Sequence, residues 1–250
     1  MSRAARPFAG DTAGFYARYR RTYPAELVAR FGEFGRVGGG RLLDLGCGTG
    51  ALTFELAPFF EHVVGIDPEP DMLREAKRAA RQRGITNIEW IMGSSTELRE
   101  LEPLPGRFDL VTIGTAFRFM EPRATLSELQ QIAAGGVVAV AYNGTPMWLH
   151  PDPWAKALRR VVESRLGRPL SDVDLTAEAL RAAERWQRTY AETIDVDFVV
   201  GHILSATSTD QIPPAERQDF TQELSSAITA VAPSGRVVET VHVRAVIGHL

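Results

Sequence analysis

Two acids and a run of glycines are the residues of this sequence best placed to do chemistry. Leu42-Leu43-Asp44-Leu45-Gly46-Cys47-Gly48-Thr49-Gly50 reads as a buried strand that ends in a glycine-rich turn and opens a helix. Glycine suits such a turn because the chain must reverse with positive φ and let a ligand reach backbone atoms that a Cβ would cover. Gly46, Gly48 and Ala51 also satisfy G-x-G-x-x-A, the spacing of a nicotinamide-dinucleotide turn, so that cofactor competes on this match. Asp44 separates the two readings. A carboxylate directly beneath the turn repels a pyrophosphate but favours a ligand carrying an ammonium and a sulfonium, which points to S-adenosylmethionine. The structural alternative for Asp44 is a carboxylate that caps nearby loop amides. A Walker-type phosphate turn is excluded, since no Gly-Lys-Ser/Thr ending follows.

A second carboxylate closes the next strand in Gly65-Ile66-Asp67-Pro68. A carboxylate accepts two hydrogen bonds at once, so Asp67 can take both hydroxyls of an adenosine ribose. A dinucleotide enzyme would use the same acid, so Asp67 identifies adenosine and leaves the cofactor open; its structural alternative is a helix N-cap before Pro68. Cys47, the single cysteine, has no histidine near it in sequence and reads as a small buried filler. No His/Cys/Asp/Glu set has metal-ligand spacing, and no metal is expected.

These residues need strands that end side by side. Short apolar runs alternate with helical patterns through residue 142, the signature of βαβ units and a parallel sheet covered on both faces. The strands fall at Arg41 to Leu45, His62 to Asp67, Ile88 to Met92, Phe108 to Ile113 and Gly136 to Tyr142, with helices at Ala51 to Phe60, from Pro70 onward, and at Leu126 to Ala133. From Asn143 the chain changes character, with prolines and tryptophans leading into Arg/Glu/Ala-rich stretches. This predicts a mainly helical insertion after the fifth strand, with helices at Trp154 to Leu166, Leu175 to Trp186 and Val196 to Ala206. A helix from Ala215 to Val231 and a last run, Val237 to Ile247, rejoin the core. In that run Val237, Val241, Val243, Ala245 and Ile247 share one side and Glu239 is the exception, which predicts an antiparallel, half-exposed strand.

The 250 residues, 44% apolar and 24% charged, suffice for a sizeable core. The net charge is −3, and no more than two basic residues adjoin anywhere, as in the cluster Arg18, Arg20, Arg21, so neither nucleic acid nor a membrane surface is the expected partner. A small neutral or mixed-charge ligand fits better. One cysteine and a first segment without an apolar stretch make the cytoplasm the default location. The longest apolar run, Val137 to Tyr142, is far short of the ~18 residues of a membrane span.

In order and spacing, Leu42 to Gly50, Gly65-Ile66-Asp67, Gly93-Ser94-Ser95-Thr96-Glu97-Leu98 and Phe108-Asp109-Leu110-Val111-Thr112-Ile113 resemble the class I S-adenosylmethionine-dependent methyltransferases. Phe15-Tyr16-Ala17-Arg18-Tyr19-Arg20, Tyr23-Pro24 and Thr115-Ala116-Phe117-Arg118-Phe119 resemble the small-molecule branch that contains trans-aconitate methyltransferase-like enzymes. The resemblance implies an α/β, Rossmann-like, doubly wound, seven-stranded and mostly parallel sheet. Its parts would be lid helices over 1–35, a cofactor-binding core over 36–143, a helical substrate cap over 144–214, and a completing helix and strand over 215–250. By the same resemblance Gly46, Cys47, Gly48 and Gly50 run beside the methionine moiety and Asp67 holds the ribose. Pro68 and Met72 lie near the adenine, Ser94 and Ser95 meet its amino edge, and Thr115 lines the crevice. Tyr16, Tyr19 and Arg20 fold over the cofactor as a lid, the alternative being a surface helix with aromatic packing. Relatives often carry an acid where Ser94 and Ser95 stand; serine accepts the same bond more weakly.

Relatives often carry a histidine at the position of Arg118, facing the transferred methyl. An arginine cannot take a proton at working pH, which leaves binding of an acidic substrate; the alternative is a surface arginine beside Glu121. His150 and His202, in the insertion, are the further candidates for lining the substrate pocket. Trp148, Trp154 and Trp186 either wall a substrate or pack the insertion. The expected activity is methyl transfer to an O, N or C nucleophile of a small molecule, an acidic or secondary metabolite, with S-adenosylhomocysteine as the other product. The rivals are a fold of this kind that binds the cofactor without transferring methyl, as a cyclase or binding module, and a nicotinamide-dependent dehydrogenase.

Overall fold

A computed structural model describes residues 7–35, 39–101, 107–170 and 182–250 of the chain. They divide into two compact units. The unit with the candidate turn holds residues 21–143, 182–188 and 243–250 among those described; the other holds 7–20, 144–170 and 189–242.

In the first of these, β1 (Arg41–Leu45), β2 (His62–Asp67), β3 (Ile88–Met92), β4 (Leu110–Gly114) and β5 (Val137–Asn143) alternate with α2 (Ala25–Gly32), α3 (Ala51–Leu56), α4 (Pro70–Arg83) and α5 (Pro122–Ile132). The other unit contains α1 (Asp11–Tyr19), α6 (Pro153–Leu166), α7 (Val196–Leu204) and α8 (Arg217–Val231). Two long strands, β6 (Ala182–Asp195) and β7 (Arg236–His249), complete a seven-stranded sheet of order β3-β2-β1-β4-β5-β7-β6. The first five strands pair in parallel and β7 runs antiparallel to β5. Because the chain steps outward from β1 to β3 and then returns to β4 on the other side, the carboxyl ends of β1 and β4 form the point where strand order reverses, the usual place for a ligand in such sheets.

Local sequence accounts for the elements that flank this point. The α4 helix starts where Glu69 accepts from the Asp71 N–H, with Pro70 at its first position, and stops at Gly84 in the left-handed conformation. It turns Met72, Leu73, Ala76 and Ala80 inward. Leu43, Leu45, Val64, Ile66, Val111, Ile113, Val138 and Val140 form the core around the parallel strands. In the other unit Trp154, Leu158, Val200, Phe220 and Leu224 form a separate core. Among the described residues no helix is long and apolar enough to cross a membrane.

The first three strands fall on their expected bounds, and β7 alternates buried and exposed residues with Glu239 on its buried side, as its sequence predicts. The stretch after β5 differs from its expected, mainly helical form. Helices α6 and α7 are present, but of the helix expected over Leu175–Trp186, residues 175–181 lie outside the described part, and from Ala182 the chain is a 14-residue strand. It lies at the edge of the sheet, where exposed charged residues such as Arg185 discourage a further strand from adding.

Phe220 is fully buried in the second core. Phe220→Ala is expected to lower stability by about 3–5 kcal/mol, the cost of lost burial plus a cavity. Urea unfolding followed by tryptophan fluorescence reads it; a loss below about 1 kcal/mol would contradict that packing.

Candidate functional site

The turn after β1 is docked onto the end of β2 by its own backbone. Gly46 and Cys47 both donate to the Ile66 carbonyl, at 2.8 and 3.0 Å, and the Gly48 N–H donates to Asp67 Oδ2 at 2.9 Å. The other oxygen, Asp67 Oδ1, accepts the Glu69 N–H at 2.9 Å. Gly46, Gly48 and Gly50 have φ of 70, 55 and 88°, so the turn is left-handed at three of five positions, a conformation that side chains disfavour. A Cβ on Gly46 would also come within 2.5 Å of the Ala116 Cβ. Glycine is therefore required there on two separate grounds.

Asp44, 1% exposed beneath this turn, has two hydroxyl partners: Thr112 donates to Oδ1 at 2.8 Å and Thr53 to Oδ2 at 2.5 Å. The first partner follows from register, since Asp44 and Thr112 face each other across β1 and β4. Beside these hydroxyls the Thr53 backbone N–H also favours the carboxylate, so the amide capping read from the sequence is present in part. Burial pushes the Asp44 carboxyl up to about 6; the two hydroxyls oppose that shift and the nearby charge of Asp67 adds to it. Asp67 is also raised, again by burial first, with the N–H groups of Glu69 and Gly48 opposing.

The remaining expected residues of this unit take several positions. The Cys47 thiol is buried and pushed well above its ordinary value by burial, and its Sγ lies where a Cβ on Gly65 would meet it at 3.2 Å, so the residue fills space. Met72 is buried in the inner face of α4, whereas Pro68 is exposed. Ser94 Oγ lies 3.1 Å from Thr96 Oγ1, and Ser95 Oγ accepts from Thr125 at 3.1 Å. Thr115 takes φ 62°, a strained conformation for a β-branched residue that costs about 1–3 kcal/mol. Arg118 is exposed, with its guanidinium 4.6 Å from the centre of the Phe119 ring.

The other four candidates belong to the second unit. Arg20 packs over the Tyr16 ring at 4.5 Å and donates from Nε to Ser205 Oγ at 2.9 Å. His202 Nδ1 lies 3.2 Å from the Tyr19 carbonyl. His150 is 7% exposed, stacked on Trp154, with Nε2 at 3.5 Å from Glu239 Oε1. Trp154 also donates to the Val238 carbonyl at 3.2 Å, so of the two roles open to it in the sequence, packing is the one seen.

Sequence reasoning misses Thr53, Thr112, Tyr23 and Met92. Met92, at the end of β3, is 61% exposed, an apolar side chain left at the carboxyl edge. Its strand position was the available signal. Among the described residues no group of His, Cys, Asp and Glu could hold a metal ion.

The sequence profile of the methyltransferase domain matches residues 37–165, just over half of the chain. The chain belongs to that family. It is an S-adenosylmethionine-dependent methyltransferase of class I, and the dehydrogenase alternative falls with that match. An uncharacterized methyltransferase of Mycobacterium bovis is 27% identical over 209 residues, covering 81% of this chain and 79% of that protein. A probable S-adenosylmethionine-dependent methyltransferase of Saccharomyces cerevisiae is 35% identical over 89 residues, 35% of this chain; the match spans only 31% of the yeast protein. Among solved structures, a type II methyltransferase from Anaeromyxobacter dehalogenans superposes with a TM-score of 0.63 over 92% of this chain and 98% of that one, at 20% identity, a likeness of fold.

The raised Asp44 has a consequence for stability. Its folded pKa lies above its unfolded one, so the stability it contributes is complete below about pH 4 and is lost as pH rises to about 6, a change on the order of 3 kcal/mol. Asp44→Asn cannot ionise and is expected to flatten this fall. Urea titrations across that range measure it, and an identical slope in the variant would contradict the assignment.

Proposed function

We propose that this methyltransferase moves the methyl of S-adenosylmethionine to an O, N or C nucleophile of a small molecule, an acidic or secondary metabolite, in the cytoplasm. The observation that carries the cofactor assignment is the geometry of Asp67. Each of its oxygens accepts one backbone N–H and keeps a further lone pair, so the carboxylate can take two ribose hydroxyls while still holding the turn together. The glycines leave room for a ligand against the backbone, Asp44 sets a carboxylate beneath a donor bearing positive charge, and Met92 offers an apolar surface at the edge where an adenine would rest. When bound, S-adenosylmethionine supplies a methyl group already activated by its positively charged sulfur.

The residues of the chain then have little covalent work to do. Their task is to hold the acceptor in line, exclude water and, where the acceptor must lose a proton, receive it. Arg118 stays charged and serves to bind an acidic acceptor rather than to take its proton. Of the sequence candidates for that step, His150 and His202 lie in the other unit, His150 buried against Trp154 and His202 beside the Tyr19 carbonyl. A small acceptor is favoured over nucleic acid by the net charge of −3. One relative, an rRNA uracil methyltransferase of a Shewanella strain, matches over 78 residues that make up 17% of that protein.

Asp67→Ala is expected to weaken S-adenosylmethionine binding by roughly 30-fold or more, the scale of two hydrogen bonds to a charged acceptor. Isothermal calorimetry measures it, and an unchanged affinity would overturn the assignment. Incubating the protein with cofactor and candidate acceptors, followed by mass spectrometry for the gain of one CH2, tests the acceptor class; a gain on RNA alone would overturn the small-molecule reading.

A further inference from the structure

Three features of separate origin hold one phenol at the carboxyl end of β4. Gly114, the last residue of that strand, lacks a side chain where Tyr23 lies: a Cβ there would come within 2.6 Å of Tyr23 Oη. Asn143, the last residue of β5, donates from Nδ2 to the carbonyls of Arg21 and Thr22 at 3.2 and 2.9 Å, which fixes the chain directly before Tyr23. Thr115 then turns left-handed, alone among the described non-glycine residues, and its hydroxyl sits 3.3 Å from Tyr23 Oη. Tyr23 is buried, although it precedes Pro24 in a connecting segment rather than lying in a core element.

A β-branched residue keeps a left-handed backbone only where its surroundings over-determine it. At Thr115 the backbone N–H is held by the Ala141 carbonyl at 2.7 Å and the side chain by Tyr23. The next residue, Ala116, fills the space in which Gly46 has no Cβ, so any shift of Thr115 and Ala116 is transmitted to the glycine turn.

We propose that Tyr23 is a positioning residue for methyl-donor binding: its hydroxyl locks Thr115 in the left-handed conformation, which sets Ala116 against Gly46 and so shapes the methionine end of the crevice. This rests on the cofactor assignment made for that crevice. Tyr23 acts through Thr115 and not by contact with the reacting atoms. The three supports also explain one another. Gly114 makes room for the phenol, Asn143 aims it, and Thr115 gives it a partner.

The test is a double-mutant cycle read by calorimetry with S-adenosylhomocysteine, which needs no acceptor. Tyr23→Phe removes only the hydroxyl and is expected to weaken binding by about five- to tenfold with the melting temperature within about 2 °C of the parent chain. Thr115→Val, which removes the other half of the pair, is expected to do the same. Thr115→Gly adopts the left-handed backbone without a lock. In that background Tyr23→Phe is expected to change affinity less than about twofold, the signature of coupling through Thr115. Equal losses in both backgrounds would show that Tyr23 acts independently and would overturn the proposal, as would unaltered affinity in Tyr23→Phe and Thr115→Val. If the parent chain fails to bind S-adenosylhomocysteine, the cofactor assignment itself falls, an outcome distinct from either.

Discussion

The structure of the site depends on one carboxylate shared between two strand ends. Asp67 accepts the Gly48 N–H from the turn after β1 and the Glu69 N–H from the turn that opens α4. Without that bridge the glycine turn would be docked on β2 through the Ile66 carbonyl only, and glycine, which loses the most freedom on ordering, would be held less firmly in a single form. The same bonds orient the remaining lone pairs of Asp67 through the chain's own backbone. Fixed orientation of this kind lowers the entropy that binding must overcome.

Around this bridge the chain accepts local destabilisation. Asp44 is a carboxylate buried between strands, with its ionisation moved up to about 6, and Thr115 occupies a backbone region that β-branched residues avoid. Neither arrangement would be chosen for stability alone. Both sit at the carboxyl ends of β1 and β4, where strand order reverses, and their clustering agrees with the general observation that strain and buried charge collect at functional sites.

Much of this was legible in the sequence because it depends on short-range rules. The apolar strand, the glycine turn and the acid at the end of β2 are local patterns, and their bounds survive folding because both faces of a parallel strand are buried. What was hidden arises from pairing. Thr112 becomes a partner of Asp44 only once β1 and β4 are placed in register, and Tyr23 reaches Thr115 across 92 residues of sequence. The β6 strand was misread for a sharper reason. The expected helix ended at Trp186, and the Ala, Glu and Arg of residues 182–185 favour helix. A place beside β7 at the sheet edge overrides that preference. That residues 7–20 join 144–170 and 189–242 in one unit was likewise outside the reach of local pattern.

The most direct measurement is a crystal structure of the chain with S-adenosylhomocysteine. The account predicts density for the ribose with its two hydroxyls within hydrogen-bond distance of the Asp67 oxygens, and for the amino-acid end along Gly46 to Gly48. An adenosine bound elsewhere, or a crevice at the carboxyl ends of β1 and β2 filled by the protein's own side chains, would contradict it.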